Sequence, residues 1–538
     1  MATAVTSPPV AQARERRSLI RERLPRAVPR RRAARVGLVF ALAVVVCGSV
    51  LRFMAPAGLW LDEALSVNIS KLAPGQMIGA LVWDGSPPLY YLALHVWMLL
   101  FGQGGFSVRA FSGLISLATL PFMWFAGRRI GDRPGAWAAL LLAASSPWAI
   151  YYGSYTRMYS LMALESVLYY LALRRATESP TKGRLACTGA LTAALLYTHY
   201  WDLYLVGVVG LWMLWRAYDE SRNGHVPSGW SPGAAKGIVW SMVGAGVVFL
   251  PWSPVFVFQA LHTGTPWSNP PGPQDLVFVF GFFAGTGAWA VMLGFLFFAL
   301  VALGVMGRPG PRPTSVVLEL QCQPRSRFLG LLLGGTLLVA VLVGALTGAA
   351  FDQRYIAVVF PLFVLMCTVG LCTFASRRLR VGLLVAACAG GLVAGQQWAA
   401  QPRTQAVQVA ADLNAHAKPG DMVVYCPDQL GPAVDRLLTV PGLTEVTFPR
   451  GIGPQRIDWV DYVSTVRATN VSKFATAARN ALPPGSTLWF VYRNGYQGLG
   501  NSCADLYDWF KQSLPGSVGV VEANADYYEY ENLVAFPG

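Results

Sequence analysis

Apolar residues in this chain gather in long unbroken blocks, near 36–54, 107–127, 134–151, 158–173, 185–200, 203–215, 237–252, 277–305, 328–347, 356–375 and 381–398. About 20 apolar residues wound as a helix span the roughly 30 Å hydrocarbon core of a bilayer, so these blocks predict about eleven membrane-spanning helices. Leu89–Phe101 is equally apolar but only about 13 residues, or roughly 20 Å as a helix. It is assigned to the outer membrane surface as an interfacial helix, although only His95 interrupts its apolar face. From about residue 399 the pattern shortens. Asp421–Cys426 follows Lys418-Pro419-Gly420 and reads as a strand, Leu430–Leu438 as a helix, and Thr487–Tyr492 as another strand. A small α/β domain is expected there. The chain divides into a basic tail (1–35), a membrane domain (36–400) with an outer loop at 55–106, and an outer domain (401–538).

Composition agrees: 54% of the 538 residues are apolar and 13% charged, with a mean hydropathy of +0.44. That balance excludes a soluble globular protein. The net charge of +15 is concentrated, because ten arginines and two glutamates precede the first apolar block. Such a tail reads as a cytoplasmic anchor on anionic lipid, not as a nucleic-acid surface, and no cleavage site marks a signal peptide. Further arginines and lysines recur at 128–133, 174–184, 216–236, 308–327 and 377–380. With the tail inside, these loops are inside too, which puts the amino terminus in the cytoplasm and the carboxyl terminus outside. Of eight cysteines, only Cys426 and Cys503 fall in the outer domain. In an oxidising compartment they are expected to pair.

Unusual polar groups then collect in the outer loops: Asp62-Glu63, Tyr155-Thr156-Arg157, His199, His262 and Asp352-Gln353-Arg354-Tyr355. Acids at a membrane boundary are costly unless paired or used. A carboxylate can take the proton of an attacking hydroxyl, and an arginine fork matches and neutralises a departing phosphate. The combination suits transfer of a group from a lipid phosphate to a hydroxyl. Adjacent side chains diverge, so one acid, Asp62, is assigned the chemistry and Glu63 a supporting role.

The order of motifs carries a resemblance. Asp62-Glu63 is followed by Asp84-Gly85-Ser86-Pro87-Pro88-Leu89-Tyr90-Tyr91, the Arg109 segment, Ser145-Ser146-Pro147 and Tyr155-Thr156-Arg157-Met158-Tyr159-Ser160. Then come Tyr197-Thr198-His199-Tyr200, Leu250-Pro251-Trp252, His262-Thr263-Gly264-Thr265-Pro266-Trp267 and Arg354-Tyr355. Over most of 36–400 this series resembles the GT-C class of membrane glycosyltransferases, in the branch related to protein O-mannosyltransferases and the aminoarabinose transferase. The outer-domain opening Pro419-Gly420-Asp421-Met422-Val423-Val424-Tyr425-Cys426 resembles that of actinobacterial members. Ser86 stands where family members often carry a histidine before the Pro-Pro, which removes any histidine role at that position.

The resemblance implies a polyprenyl-phosphate sugar donor, an acceptor hydroxyl on a glycolipid, polysaccharide or protein of the cell envelope, and inversion at the outer face of the plasma membrane. Mannose is the first choice of sugar, with arabinofuranose or glucose open. Asp62 would be the general base and Glu63 would position it or a donor hydroxyl. Arg157 and Arg354 would hold the donor phosphate with Tyr155 and Tyr355, while His199, Asp84, His262 and Trp267 complete the substrate-binding set. No cofactor is implied. Adjacent carboxylates suit a water-bridged divalent ion, but a third ligand is not evident.

Plainer roles stand beside these. Asp62 suits a helix cap and Glu63 a solvated position, Arg157 a snorkelling helix end, and Arg354 an ion pair with Asp352. Arg109 suits an anchor at the start of a span, Asp84 a turn and Asp202 a cap. His199 and His262 suit structural histidines, and Trp60, Trp201 and Trp267 an interfacial aromatic belt. Two other functions compete. A flippase or transporter of lipid-linked sugars would place charges at the midplane and show related halves, and neither is evident. A scaffold presenting the outer domain for adhesion would need no Asp62.

Overall fold

The computed structural model describes residues 30–56, 58–265 and 268–538, with side chains from residue 34 onward. Most of the basic tail expected at 1–35, together with Trp267, lies outside the described residues. The first apolar block forms α1 (Arg30–Leu51). The outer loop at 55–106 is itself helical: α2 (Leu61–Ser70), α3 (Pro74–Asp84) and α4 (Leu89–Phe101). α4 has the bounds expected for this segment and buries Tyr90, Tyr91, Leu94 and Met98 while Leu99, Leu100 and Phe101 stay exposed.

α5 (Gly105–Ala144) leaves helical geometry at Gly131–Asp132, just before Pro134. The chain reverses there, and a Cβ on Gly127 or Gly135 would lie 2.4 Å from the other's carbonyl oxygen. Two arms therefore occupy the blocks at 107–127 and 134–151, the second continued by the short α6 (Pro147–Gly153). Next come α7 (Tyr159–Glu178), α8 (Lys182–Thr198), α9 (Asp202–Asn223) and α10 (Ala234–His262). The single span expected at 277–305 is instead two helices, α11 (Asp275–Ala284) and α12 (Ala288–Met306). Gly285 and Gly287 take φ of 94° and 83°, a left-handed backbone that ends a helix. A hairpin of β1 (Gly307–Pro309) and β2 (Val316–Leu318) precedes α13 (Arg327–Thr347), α14 (Tyr355–Thr373) and α15 (Arg377–Ala399).

Among the described residues, α1, α5, α10, α12, α13, α14 and α15 are long and apolar enough to cross a membrane. α7, α8 and α9 fall at other expected spans and pack within the same bundle. The innermost helix is α14, buried over 94% of its most apolar window and packed against α5, α7 and α12. The basic loops meet at one end of the bundle. Arg129 pairs with Glu178 (2.6 Å), Ser231 N–H donates to Thr177 O (2.8 Å), Arg325 donates to Thr373 Oγ1 (2.6 Å), and Ser376 N–H donates to Pro313 O (2.7 Å). The polar loops singled out for chemistry meet at the other end.

Beyond α15 the chain forms a mixed sheet flanked by helices. β3 (Met422–Cys426) and β5 (Thr487–Tyr492), both expected, are parallel neighbours with Met422 opposite Leu488. Three strands the periodicity did not reveal complete it: β4 (Thr444–Thr447), β6 (Val518–Val521) and β7 (Asn532–Pro537), in the order β4-β3-β5-β7-β6. The helix read at 430–438 covers only Gly431–Asp435. Cys426, at the end of β3, is bonded to Cys503 across 77 residues of chain. The domain rests on the outer loop, with Trp459 N–H donating to Trp83 O (3.1 Å) and Asn68 Nδ2 to Gln455 O (2.8 Å).

Candidate active site

Trp60 ends an extended segment and α2 begins at Leu61, so Asp62 and Glu63 occupy the first helical turn. Carboxylates are favoured there by the unpaired N–H groups and the helix dipole. Their side chains diverge as helical geometry requires. Asp62 Oδ2 is 2.7 Å from Arg354 Nη1 and accepts from the Tyr155 hydroxyl at 3.4 Å. Glu63 points into the protein and is fully buried. Arg109 grips it with two bonds, Nε at 2.9 Å and Nη2 at 2.6 Å, while Arg403 Nη1 lies at 3.2 Å and the Thr156 N–H donates at 3.1 Å. Burial alone would raise the Glu63 carboxyl, but Arg109 and Arg403, with the Arg109 and Thr156 hydrogen bonds, hold it below the usual carboxylate range. These contacts exclude a solvated Glu63 and leave its oxygens engaged by protein, so the donor-hydroxyl role gives way to support of α2.

Arg354 is shared, since its Nε and backbone N–H also contact Asp352 Oδ1 at 3.2 and 3.0 Å. Its loop is fixed from behind by indole N–H groups: Trp148 donates to Gln353 O (2.9 Å) and Trp201 to Ala350 O (3.2 Å). Trp201 is thereby a buried structural donor rather than a belt residue or a sugar platform. Arg157 does not snorkel. Its Nη1 donates to the Tyr91 hydroxyl (2.8 Å) and to Ser66 Oγ (3.3 Å), within electrostatic reach of Asp62, and its Nε has no hydrogen-bond partner. A guanidinium with an unspent donor beside a second guanidinium fits an anion.

Aromatic rings wall this space. Tyr155 lies between Trp60 (5.7 Å), Tyr151 (5.9 Å) and Tyr159 (5.8 Å), and Tyr355 packs on His199 at 5.1 Å. The Trp201 backbone N–H donates to His199 Nδ1 (3.1 Å), so the neutral ring carries its proton on Nε2. Asp84 joins at one remove, accepting from the Tyr91 hydroxyl (2.9 Å) that also meets Arg157.

Not every expected residue converges. His262 contacts Asp461 of the outer domain (3.2 Å) and stacks on Phe258, with none of the Asp62 cluster among its contacts. It is a domain-seating residue because α10 ends against the 458–461 loop. Asp202 does not cap α9, as neither carboxylate oxygen has a hydrogen-bond partner. Arg403, Tyr151, Tyr159 and Glu529 belong to the neighbourhood but were not singled out. Arg403 had a signal, being the one Lys or Arg between Arg380 and Lys418, just past an apolar block. Glu529 had none, since its carboxylate meets the Leu61 N–H (3.3 Å) across most of the chain. Among the described residues no group of three or more His, Cys, Asp or Glu gathers as a metal site.

Residues 85–227 match the family model described as dolichyl-phosphate-mannose-protein mannosyltransferase. No curated protein matches the chain significantly. Two solved structures of ArnT from Cupriavidus metallidurans share the fold at 15% identity. The apo form has a TM-score of 0.56, covering 94% of this chain and 98% of that one. The form bound to undecaprenyl phosphate has a TM-score of 0.54, covering 93% and 97%. The archaeal oligosaccharyltransferase AglB from Archaeoglobus fulgidus is more distant, at 11% identity and a TM-score of 0.48 over 89% of this chain and 73% of its own. The chain is thus a multi-pass membrane protein with the GT-C glycosyltransferase fold, and its residues 85–227 carry the signature of the dolichyl-phosphate-mannose-protein mannosyltransferase family.

Proposed function

We propose that this protein transfers a sugar, mannose, from a polyprenyl-phosphate carrier to a hydroxyl of a cell-envelope acceptor, at the outer face of the plasma membrane and with inversion. The observation that carries the reading is Asp62 set against Arg354 at 2.7 Å, with Arg157 within electrostatic reach of the same carboxylate. The matched family model supports the mannosyl donor, and the ArnT form bound to undecaprenyl phosphate supports the carrier. The gathering of the basic loops at the opposite end of the bundle supports an extracytoplasmic site.

In this reading the acceptor oxygen attacks the anomeric carbon while Asp62 takes its proton. The bond from that carbon to the phosphate oxygen breaks, and the polyprenyl phosphate leaves with the electron pair. Arg354 and Arg157 neutralise the growing charge. The donor phosphate competes with Asp62 for Arg354, so donor binding frees the base. The test is purified full-length protein with labelled polyprenyl-phosphate-mannose and a soluble hydroxyl acceptor, with EDTA present. Wild type makes glycosylated product, whereas Asp62→Asn binds donor and makes none. Near-normal turnover by that variant rejects the base, and no product from wild type either with EDTA or with added Mg²⁺ or Mn²⁺ rejects the donor.

A further inference from the structure

Arg403 lies just past α15, outside every motif of the transfer reaction, yet it is only 2% exposed. Both terminal nitrogens of its guanidinium are spent inside the protein, and only the buried Nε has no hydrogen-bond partner. Nη1 meets Glu63 Oε1 (3.2 Å) and donates to Ser154 O (2.8 Å), while Nη2 donates to Ser154 Oγ (2.7 Å) and Tyr151 O (3.4 Å). The group also lies 4.6 Å over the Tyr151 ring and 5.1 Å over the Tyr155 ring. Each terminal nitrogen makes two contacts within the protein, which leaves neither for substrate.

The backbone around Arg403 belongs to the outer domain. Glu529 N–H donates to Arg403 O (2.9 Å) and Tyr528 N–H to Pro402 O (3.3 Å), and Thr404 bridges Glu529 in parallel. The same Glu529 accepts the Leu61 N–H at the start of α2 (3.3 Å), and Tyr528 packs edge-on against Trp60 at 5.0 Å. One short pairing of chain segments therefore reaches α2 twice. It holds the first turn through Leu61 and holds Glu63 through Arg403, on either side of Asp62.

We propose that Arg403 is a positioning residue through which the seated outer domain sets the azimuth of α2, and hence the aim of Asp62. The outer domain is then part of the catalytic geometry and not only a platform for the acceptor. The kinetic part of this inference rests on the glycosyl-transfer reading. The structural part does not.

The experiment uses full-length protein in lipid nanodiscs and compares wild type with Arg403→Ala, Arg403→Lys and Ser154→Ala. It measures transfer from polyprenyl-phosphate-mannose and amide hydrogen exchange by segment. Misaiming a catalytic group by an ångström costs about 100-fold, so Arg403→Ala should lose about that much kcat. Its KM for donor should stay within about twofold, because no donor contact is removed. Amides of 61–70 should exchange faster while strands 422–426 and 487–492 keep wild-type protection. Arg403→Lys should recover part of both, and Ser154→Ala should show a weaker form of the same pattern. Unchanged exchange at 61–70, or full kcat, in a folded Arg403 variant overturns the proposal. If Arg403→Ala does not fold, the lysine and Ser154 variants decide by the same two readouts. If wild type transfers no sugar, the exchange pattern still settles the role of Arg403.

Discussion

Arg354 Nη1 stands 2.7 Å from Asp62 while its Nε stands 3.2 Å from Asp352, so one guanidinium bridges two acids. Lysine cannot reproduce that fork. Removing a donor that stabilises developing charge typically costs about 10²–10³ in rate, and Arg354→Ala should lie in that range with Arg354→Lys only partly active. Among the described residues the Arg157 guanidinium bonds only the hydroxyls of Ser66 and Tyr91 and keeps an unspent Nε, so Arg157→Ala should act mainly on donor affinity. Steady-state kinetics separate the two, with kcat falling for Arg354 and donor KM rising for Arg157. Asp62 and Glu63 show why neighbours in sequence need not share a task. Their side chains leave α2 about 100° apart, one toward the arginine pair and the other into the Arg109–Arg403 grip.

At the scale of elements, α2 is ten residues of helix with no side-chain cap of its own. The N–H of its first residue, Leu61, is met from outside by Glu529, whose burial pushes its carboxyl up to about 8. A carboxyl raised in the fold favours the protonated state. Its stabilisation is complete below the ordinary value of 4.5 and is lost as the pH climbs through about 8. Asp428, pushed up by burial to about 7, has the same sign, whereas Glu63 lies below its ordinary value and adds no slope above pH 5. Thermal unfolding of the full chain should therefore weaken steadily from pH 5 to pH 8.5. Glu529→Gln, which keeps an acceptor for the Leu61 N–H, should flatten part of that slope. An identical slope in the variant would remove Glu529 from the account.

Across the whole molecule, a buried helical bundle and a sheet domain are joined at one end, where both contribute to a single site. The Cys426–Cys503 bond closes a long loop within the sheet domain. Loops of this size are worth about 2–5 kcal/mol when cross-linked, so reduction or a double alanine substitution should lower the unfolding temperature of that domain first. Because α2 depends on the domain, transfer activity should fall in parallel, while the membrane helices keep their circular dichroism. Loss of activity without unfolding of the domain would point to a different role for the bond.

Periodicity and composition determined most of the long apolar helices, the short Leu89–Phe101 helix and the central strands β3 and β5, because each depends on which local residues avoid water. The placement of Asp62 was also legible, since an acid beside an apolar block is expensive anywhere else. Burial of Glu63, the partnering of Arg403 with it, and the reach of Glu529 to Leu61 were decided only in three dimensions. So were the split at Gly285–Gly287 and the removal of His262 from the site. Ion pairs and caps between segments hundreds of residues apart leave no local pattern. A buried charge reports its partner only once the fold has brought the two together.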